Sequence, residues 1–267
     1  MSSSTIPVWL DCDPVHGNSS LANTTANAGS VLEAIGRPDI PVYPGSKKPF
    51  SRAAVHAPDI HDTNPILAMR NALLAQSPNT AWLVATGTLT NIGLLFATFP
   101  EVAGHIKGLS IMGGAVGEGF TDVPMSRLPG EESRVGNTTP WAEFNIYCDP
   151  EASQSIFSNP ILCPKTTLIA LDLTHQVLAT VPIQERVLKT STSQASTASE
   201  LRRMLYELLV FFANTYHSTF GMEGPPLHDP LAVAVVISNL NSDYEQAYPD
   251  KVLKFDDRNG GVLPCKL

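Results

Sequence analysis

A chain of 267 residues with 43% apolar and only 16% charged side chains can bury a sizeable core, which excludes an intrinsically disordered protein. Its 17 basic against 25 acidic residues give a net charge of −8 and a pI near 5.3, so it lacks the basic face that nucleic acids and anionic membranes require. The longest uninterrupted apolar run, Leu231 to Ile237, is far short of the ~20 residues a membrane-spanning helix needs, and Met1 to Thr5 is polar without a basic leader, so a cytoplasmic protein is expected.

The first element in the chain is the run Pro7-Val8-Trp9-Leu10-Asp11-Cys12-Asp13-Pro14, which reads as a buried strand that delivers carboxylates at its C-terminal end. Further strands are predicted at Pro41 to Tyr43, Ala81 to Ala85, Gly108 to Met112 and Thr167 to Leu171, each stopped by small or polar residues. Between them, helical patterns cover Thr25 to Ile35, Ile66 to Ala75, Leu89 to Phe99 and Pro150 to Phe157. A longer helix is announced by the capping-box pattern Thr197-Ala198-Ser199-Glu200, and its stripe Leu201, Met204, Leu205, Leu208, Leu209, Phe212 and Tyr216 is expected to be core. Strands alternating with helices predict an α/β fold with a mostly parallel sheet and helices on both faces. No repeat or linker divides the chain, so residues 1–267 are read as one domain. The four cysteines, Cys12, Cys148, Cys163 and Cys265, form no CxxC pair and are expected to be reduced thiols.

In an open parallel sheet, ligands bind beyond the C-terminal ends of the strands, so the residues that end each strand carry the chemistry. Asp11 and Asp13 alternate at a period of two and project to one face, either as turn-forming carboxylates before Pro14 or as a metal or catalytic pair. His228-Asp229-Pro230, ahead of an apolar helix, supplies a second carboxylate beside a histidine, and Asp229 reads equally as that helix's N-cap. Asn137, Glu143 and Asn145 lie close together in a segment, Gly136 to Pro150, that contains no Lys or Arg, a set suited to a polyhydroxyl ligand or to capping a polar loop. No Walker loop occurs, and Gly113, Gly114, Gly117 and Gly119 do not form GxGxxG, which argues against a nucleotide-phosphate site.

Together, Asp11-Cys12-Asp13-Pro14, His16-Gly17-Asn18, Thr86-Gly87-Thr88-Leu89-Thr90-Asn91, Met112-Gly113-Gly114, the Asn137 to Pro150 segment, Leu171-Asp172-Leu173-Thr174-His175-Gln176 and His228-Asp229-Pro230 resemble the inosine-uridine preferring nucleoside hydrolases, especially their fungal uridine nucleosidase-like members. The resemblance runs in order through nearly the whole chain. It implies hydrolysis of the N-glycosidic bond of ribonucleosides, with a calcium ion at the strand ends. By motif, Asp13 resembles a calcium ligand and the catalytic base, Thr86 a ligand through its backbone carbonyl, and Asp229 the distal carboxylate ligand. Asn18, Met112, Asn137, Glu143 and Asn145 fall at ribose-contacting positions, and His228 falls beside the leaving base as a proton donor. The implied partner is a small-molecule nucleoside, with neither nucleic acid nor membrane; a homo-oligomer remains open.

The family's first motif reads D-x-D-P-G-x-D-D, whereas here Pro14 runs directly into Val15-His16-Gly17-Asn18, a loop that belongs one helix and one strand further on. Two aspartates are thereby missing, a Gly-rich loop near His61 and Asp62 is absent, and the C-terminal end is expected to be short. A lost helix and strand can be bridged on one sheet edge without threading the chain, and should leave an exposed apolar scar. Two other readings stand beside the hydrolase: a non-catalytic ribose-binding remnant that cannot hold calcium, and a D-x-D phosphotransferase, which Pro14-Val15 after the second Asp disfavours.

Overall fold

The computed structural model describes residues 6–12, 20–46, 50, 65–117, 120–121, 123–189 and 200–238. Their sheet has four strands in the order β1 (Val8–Asp11), β2 (Trp82–Ala85), β3 (Gly108–Met112) and β4 (Thr166–Ile169), every pair parallel. β2 and β3 are buried along their whole length, as Val/Leu/Ile-rich strands covered on both faces must be.

Parallel neighbours need crossover connections, and these supply the helices. α1 (Leu21–Ala34) and α2 (Pro65–Leu74) follow β1; α3 (Thr90–Thr98) and α4 (Glu101–His105) follow β2; α5 (Phe144–Cys148) and α6 (Pro150–Phe157) precede β4. Beyond β4 come α7 (Leu171–Thr174), α8 (Val181–Leu188), α9 (Glu200–Phe220) and α10 (His228–Ser238). The period of two divides the core. Leu83, Ala85, Leu109 and Ile111 pack on one face with residues of α2, α3, α4 and α6. Trp82, Val84, Met112 and Ile169 pack on the other with α10, whose Ala232 carbonyl also accepts a 2.8 Å bond from the Ser110 hydroxyl of β3.

Several expectations are corrected. Pro41 to Tyr43 is not a strand; Pro41 and Pro44 lack the N–H a ladder needs, and Tyr43 instead stacks on Trp9 with ring centroids 5.6 Å apart. The stripe on α9 is not core: this helix packs on α8 rather than on the sheet, has no buried residue, and leaves Leu205, Leu208 and Phe212 exposed. Among the described cysteines, Cys12 and Cys148 are outside any disulfide, but Cys163 is disulfide-bonded.

One edge of the described sheet carries exposed apolar side chains. β1 forms the outer edge of the described sheet, and Val8 and Leu10, which share a face with Trp82 and Val84, are 46% and 50% exposed where Val84 is fully buried. α1, which follows β1 in the chain, has no buried residue, and its Val31 is exposed. These two strands generate a direct test. Leu83→Ala in β2 should cost about 2–5 kcal/mol in urea denaturation, whereas Leu10→Ala in β1 should cost less than about 1 kcal/mol; equal losses would mean that β1 is covered in solution.

Candidate functional site

The strand ends carry the site. Asp11 closes β1 with a buried carboxylate whose Oδ1 accepts from Asn91 Nδ2 at 2.9 Å, while Asn91 Oδ1 accepts the Ser46 N–H at 2.7 Å. Its Oδ2 is buried with no partner, and burial raises the carboxyl to about 6, partly offset by the Asn91 amide. Asp13 and Asn18 lie outside the described residues.

Thr86 and Met112 follow and end their strands, and a single amide ties them together. Asn145 Nδ2 donates to the Thr86 carbonyl at 3.2 Å, to the Met112 carbonyl at 3.0 Å, and lies 3.3 Å from Met112 Sδ. Asn145 is held in turn by Glu143, the N-cap of α5. Glu143 Oε1 accepts the Asn145 N–H at 2.9 Å, and Oε2 accepts those of Ile146 at 3.1 Å and Gly114 at 2.9 Å. Burial pushes the Glu143 carboxyl up, opposed by these backbone donors. Asn137 Oδ1 accepts the Phe144 N–H at 3.0 Å, which clamps the preceding loop to α5. That loop needs Gly136, because a Cβ there would meet the Ala142 backbone at 2.2 Å. Glu143, Asn145 and Asn137 thus spend polar atoms on shaping the site, and Thr86, Met112, Glu143 and Asn145 converge.

His228 and Asp229 open α10. His228 makes two bonds, Nδ1 with Thr174 Oγ1 at 2.8 Å and Nε2 with the Tyr216 hydroxyl at 2.9 Å. Burial, and then neighbouring His175, lower its pKa to about 3, so the imidazole is neutral. Tyr216 is raised to about 12 by burial and by the negative charges of Asp229 and Glu143, which places the Tyr216–His228 pair in the field of both acidic groups. Asp229 itself is exposed in the first turn of α10.

Sequence patterning assigned Tyr216 to a core stripe and gave Thr174, His175 and Asn91 no role. All three lie inside the resemblance motifs Thr86–Asn91 and Leu171–Gln176, which marked the segments but not the part each residue plays. Asp172 completes the frame, accepting the Val116 N–H at 2.7 Å and the Gly117 N–H at 2.9 Å and so pinning the loop after β3.

The donors fit a hard cation in kind, since the Thr86 carbonyl and the Asp229 carboxylate offer oxygen. Asp13, the further donor that the motif implies, lies outside the described residues. Among the described residues no group of three or more His, Cys, Asp or Glu side chains could hold a metal ion, and the Thr86 carbonyl already accepts from Asn145.

Residues 10–259 match the model of the inosine-uridine preferring nucleoside hydrolase family. The uridine nucleosidase of Saccharomyces cerevisiae is 31% identical, with 96% of this chain and 83% of the yeast protein covered. That alignment spans 304 positions, more than the 267 residues of the chain, so residues of the relative within the matched span have no counterpart here. The pyrimidine-specific ribonucleoside hydrolase RihA of Shewanella woodyi is 32% identical over 91% of this chain and 83% of its own length. A plant nucleoside hydrolase shares the fold, with a TM-score of 0.67 at 24% identity over 87% of this chain and 79% of the plant one. No described helix is long and apolar enough to cross a membrane.

His175 gives the site a pH signature. It is 5% exposed, and the Pro124 carbonyl acts on it only short of hydrogen-bond geometry, so both ring nitrogens are unpartnered. Burial lowers its pKa to about 4, against the opposing pull of Pro124 and Asp172. The unfolded chain takes up this proton near pH 6.5 and the folded one only near 4, so stability is full above 6.5 and falls as the pH drops between these values, by up to about 3 kcal/mol. Urea denaturation at pH 7 and pH 5 should show this loss, and His175→Phe should take up about one proton fewer on unfolding; an unchanged pH slope in the variant would contradict the assignment.

Proposed function

The chain belongs to the inosine-uridine preferring nucleoside hydrolases, and from that premise we propose that pyrimidine ribonucleosides, uridine first among them, are its substrates. The reaction is hydrolysis of the N-glycosidic bond to ribose and free base. The observation that carries this reading at the level of the site is the Asn145 amide, which gathers Thr86, Met112 and Glu143 at the ends of two adjacent parallel strands, where such sheets bind ligands. The acidic groups near Tyr216, and the lack of a phosphate-binding glycine loop, favour a nucleoside over a nucleotide.

In this proposal, Asn18, Met112, Asn137, Glu143 and Asn145 hold the ribose, and Asp13 takes the proton of the attacking water. The water oxygen bonds to C1′ as the C1′–N bond breaks through an oxocarbenium-like sugar. The bonding electrons pass to the base, and the two ring carbonyls of a uracil spread that charge. His228 faces the leaving base. Asp13, Thr86 and Asp229 are the proposed donors to calcium, which when bound lowers the pKa of a water and orients vicinal hydroxyls. With so few protein oxygens its affinity is expected to be low.

The same premise makes residues 1–267 one domain from which a helix and a strand beside β1 are missing. The exposed Val8 and Leu10 and the long alignment with the yeast relative support it. A non-catalytic ribose-binding remnant that cannot hold calcium is the second reading, favoured by the residues of the yeast relative that have no counterpart in this chain.

Two experiments decide between them. Purified protein should hydrolyse uridine faster than UMP, and Asp13→Ala should reduce uridine hydrolysis at least about 100-fold, whereas Asp11→Ala should act mainly through stability. Equal turnover of UMP, or an unimpaired Asp13→Ala variant, would overturn the assignment. Inserting a G-x-D-D-bearing helix and strand between Pro14 and Val15 should raise calcium affinity by calorimetry, uridine turnover and the melting temperature together; equal activity without the insertion would mean that other residues replace the lost aspartates.

A further inference from the structure

The segment between β3 and α5 carries Asn137, and one guanidinium holds the turn on which that residue sits. Val135 and Gly136 both donate their N–H to the Pro140 carbonyl, at 2.7 and 3.1 Å, and Thr138 donates its N–H to the Ala142 carbonyl at 3.1 Å. These bonds close the turn, but among the described residues no backbone N–H reaches the Gly136 or the Thr139 carbonyl. Arg134 meets both. Its Nη1 donates to the Gly136 carbonyl at 3.1 Å and to the Thr139 carbonyl at 3.3 Å, and that nitrogen carries one proton for each.

Two further contacts fix the guanidinium itself. Nη2 lies 3.2 Å from Glu131 Oε1, and the planar group sits over the Phe220 ring at the C-terminal end of α9, 5.9 Å from its centroid. The Arg127 N–H donates to the Phe220 carbonyl at 2.8 Å, so the same residue of α9 is tied to this segment twice. The Arg134 side chain is only 18% exposed, and its bonds are correspondingly shielded from water.

The peptide plane that holds the Gly136 carbonyl also holds the Asn137 N–H, so fixing the carbonyl fixes the backbone from which the Asn137 side chain leaves. At its far end, Asn137 Oδ1 accepts the Phe144 N–H at 3.0 Å. With both ends fixed, the amide has one orientation. Its Nδ2 donates to none of the described residues, and two N–H groups remain for the oxygens of a ligand.

We propose that Arg134 is a positioning residue for sugar binding: by bridging the Gly136 and Thr139 carbonyls, it holds the Asn137 amide with its N–H groups presented to a ribose hydroxyl. The inference rests on the nucleoside hydrolase reading, in which Asn137 contacts the ribose. Arg134 acts on the sugar only through the turn. Lysine is a poor substitute, because a point charge reproduces neither the spread of the fork nor its stacking on Phe220.

A double-mutant cycle on ribose binding, followed by NMR titration, tests this without recourse to turnover. Arg134→Met keeps the stem and removes the donors, and should weaken ribose binding about tenfold. Asn137→Ala should weaken it at least as much. Adding Arg134→Met to Asn137→Ala should cost nothing more, since the side chain it positions is gone, whereas a merely structural role would multiply the two losses. Arg134→Lys should lose about threefold, again only when Asn137 is present, and takes the place of Arg134→Met in the cycle if that variant fails to fold. Multiplying losses, unchanged ribose affinity in the Arg134 variants, or a wild-type protein that does not bind ribose overturns the inference. A wild-type protein that binds ribose but hydrolyses no ribonucleoside counts against the hydrolase reading instead, and the cycle still decides the role of Arg134.

Discussion

Two parallel strands with no exposed side chain, β2 and β3, constrain everything else in this molecule. A strand buried on both faces needs cover on both, and a parallel neighbour can be reached only by a crossover, so helices must lie above and below the sheet. All the strand ends then point to one edge. The Thr86 and Met112 carbonyls emerge there side by side, close enough for one Asn145 amide to bind both.

The same constraint explains why the periphery is poorly buried. β1 keeps its partner β2 on one side but has none on the other among the described residues, and Val8 and Leu10 are left half in solvent. α1 and α9 have apolar residues and no buried ones. Among the described residues, a core of central strands covered on both faces coexists with an edge strand whose apolar side chains are exposed. Each uncovered large apolar side chain forgoes about 1.5–3 kcal/mol, and a few such losses are comparable with a domain's whole margin of about 5–15 kcal/mol.

Among the described residues, the site is held together mainly by side chains that accept backbone N–H groups rather than by ion pairs. Glu143 closes α5 and fixes Gly114, Asp172 fixes Val116 and Gly117, and Asn137 fixes Phe144. Gly114, at a φ of 76°, takes a left-handed turn that a larger residue would strain, and this turn brings its N–H onto Glu143. These buried bonds leave little slack, so a ligand would meet preset donors and acceptors, including the Tyr216–His228 pair.

The sequence by itself determined the parallel α/β class, the central strands, the Pro150–Phe157 helix and the identity of most strand-end residues. These features rest on local periodicity and on turn chemistry that a short window contains. It also raised the expectation of a segment lost after Pro14, since the motif there joins two loops that belong apart in the family pattern. Only the tertiary structure decided which apolar stripes are core: α9 has the same spacing as a buried helix but no sheet beneath it, and periodicity cannot report what lies opposite. Only the tertiary structure joined Tyr216, Thr174 and His228, which are up to 54 residues apart in the chain. Local periodicity cannot place them together, because their contact exists only once α7, α9 and α10 pack at the same end of the sheet.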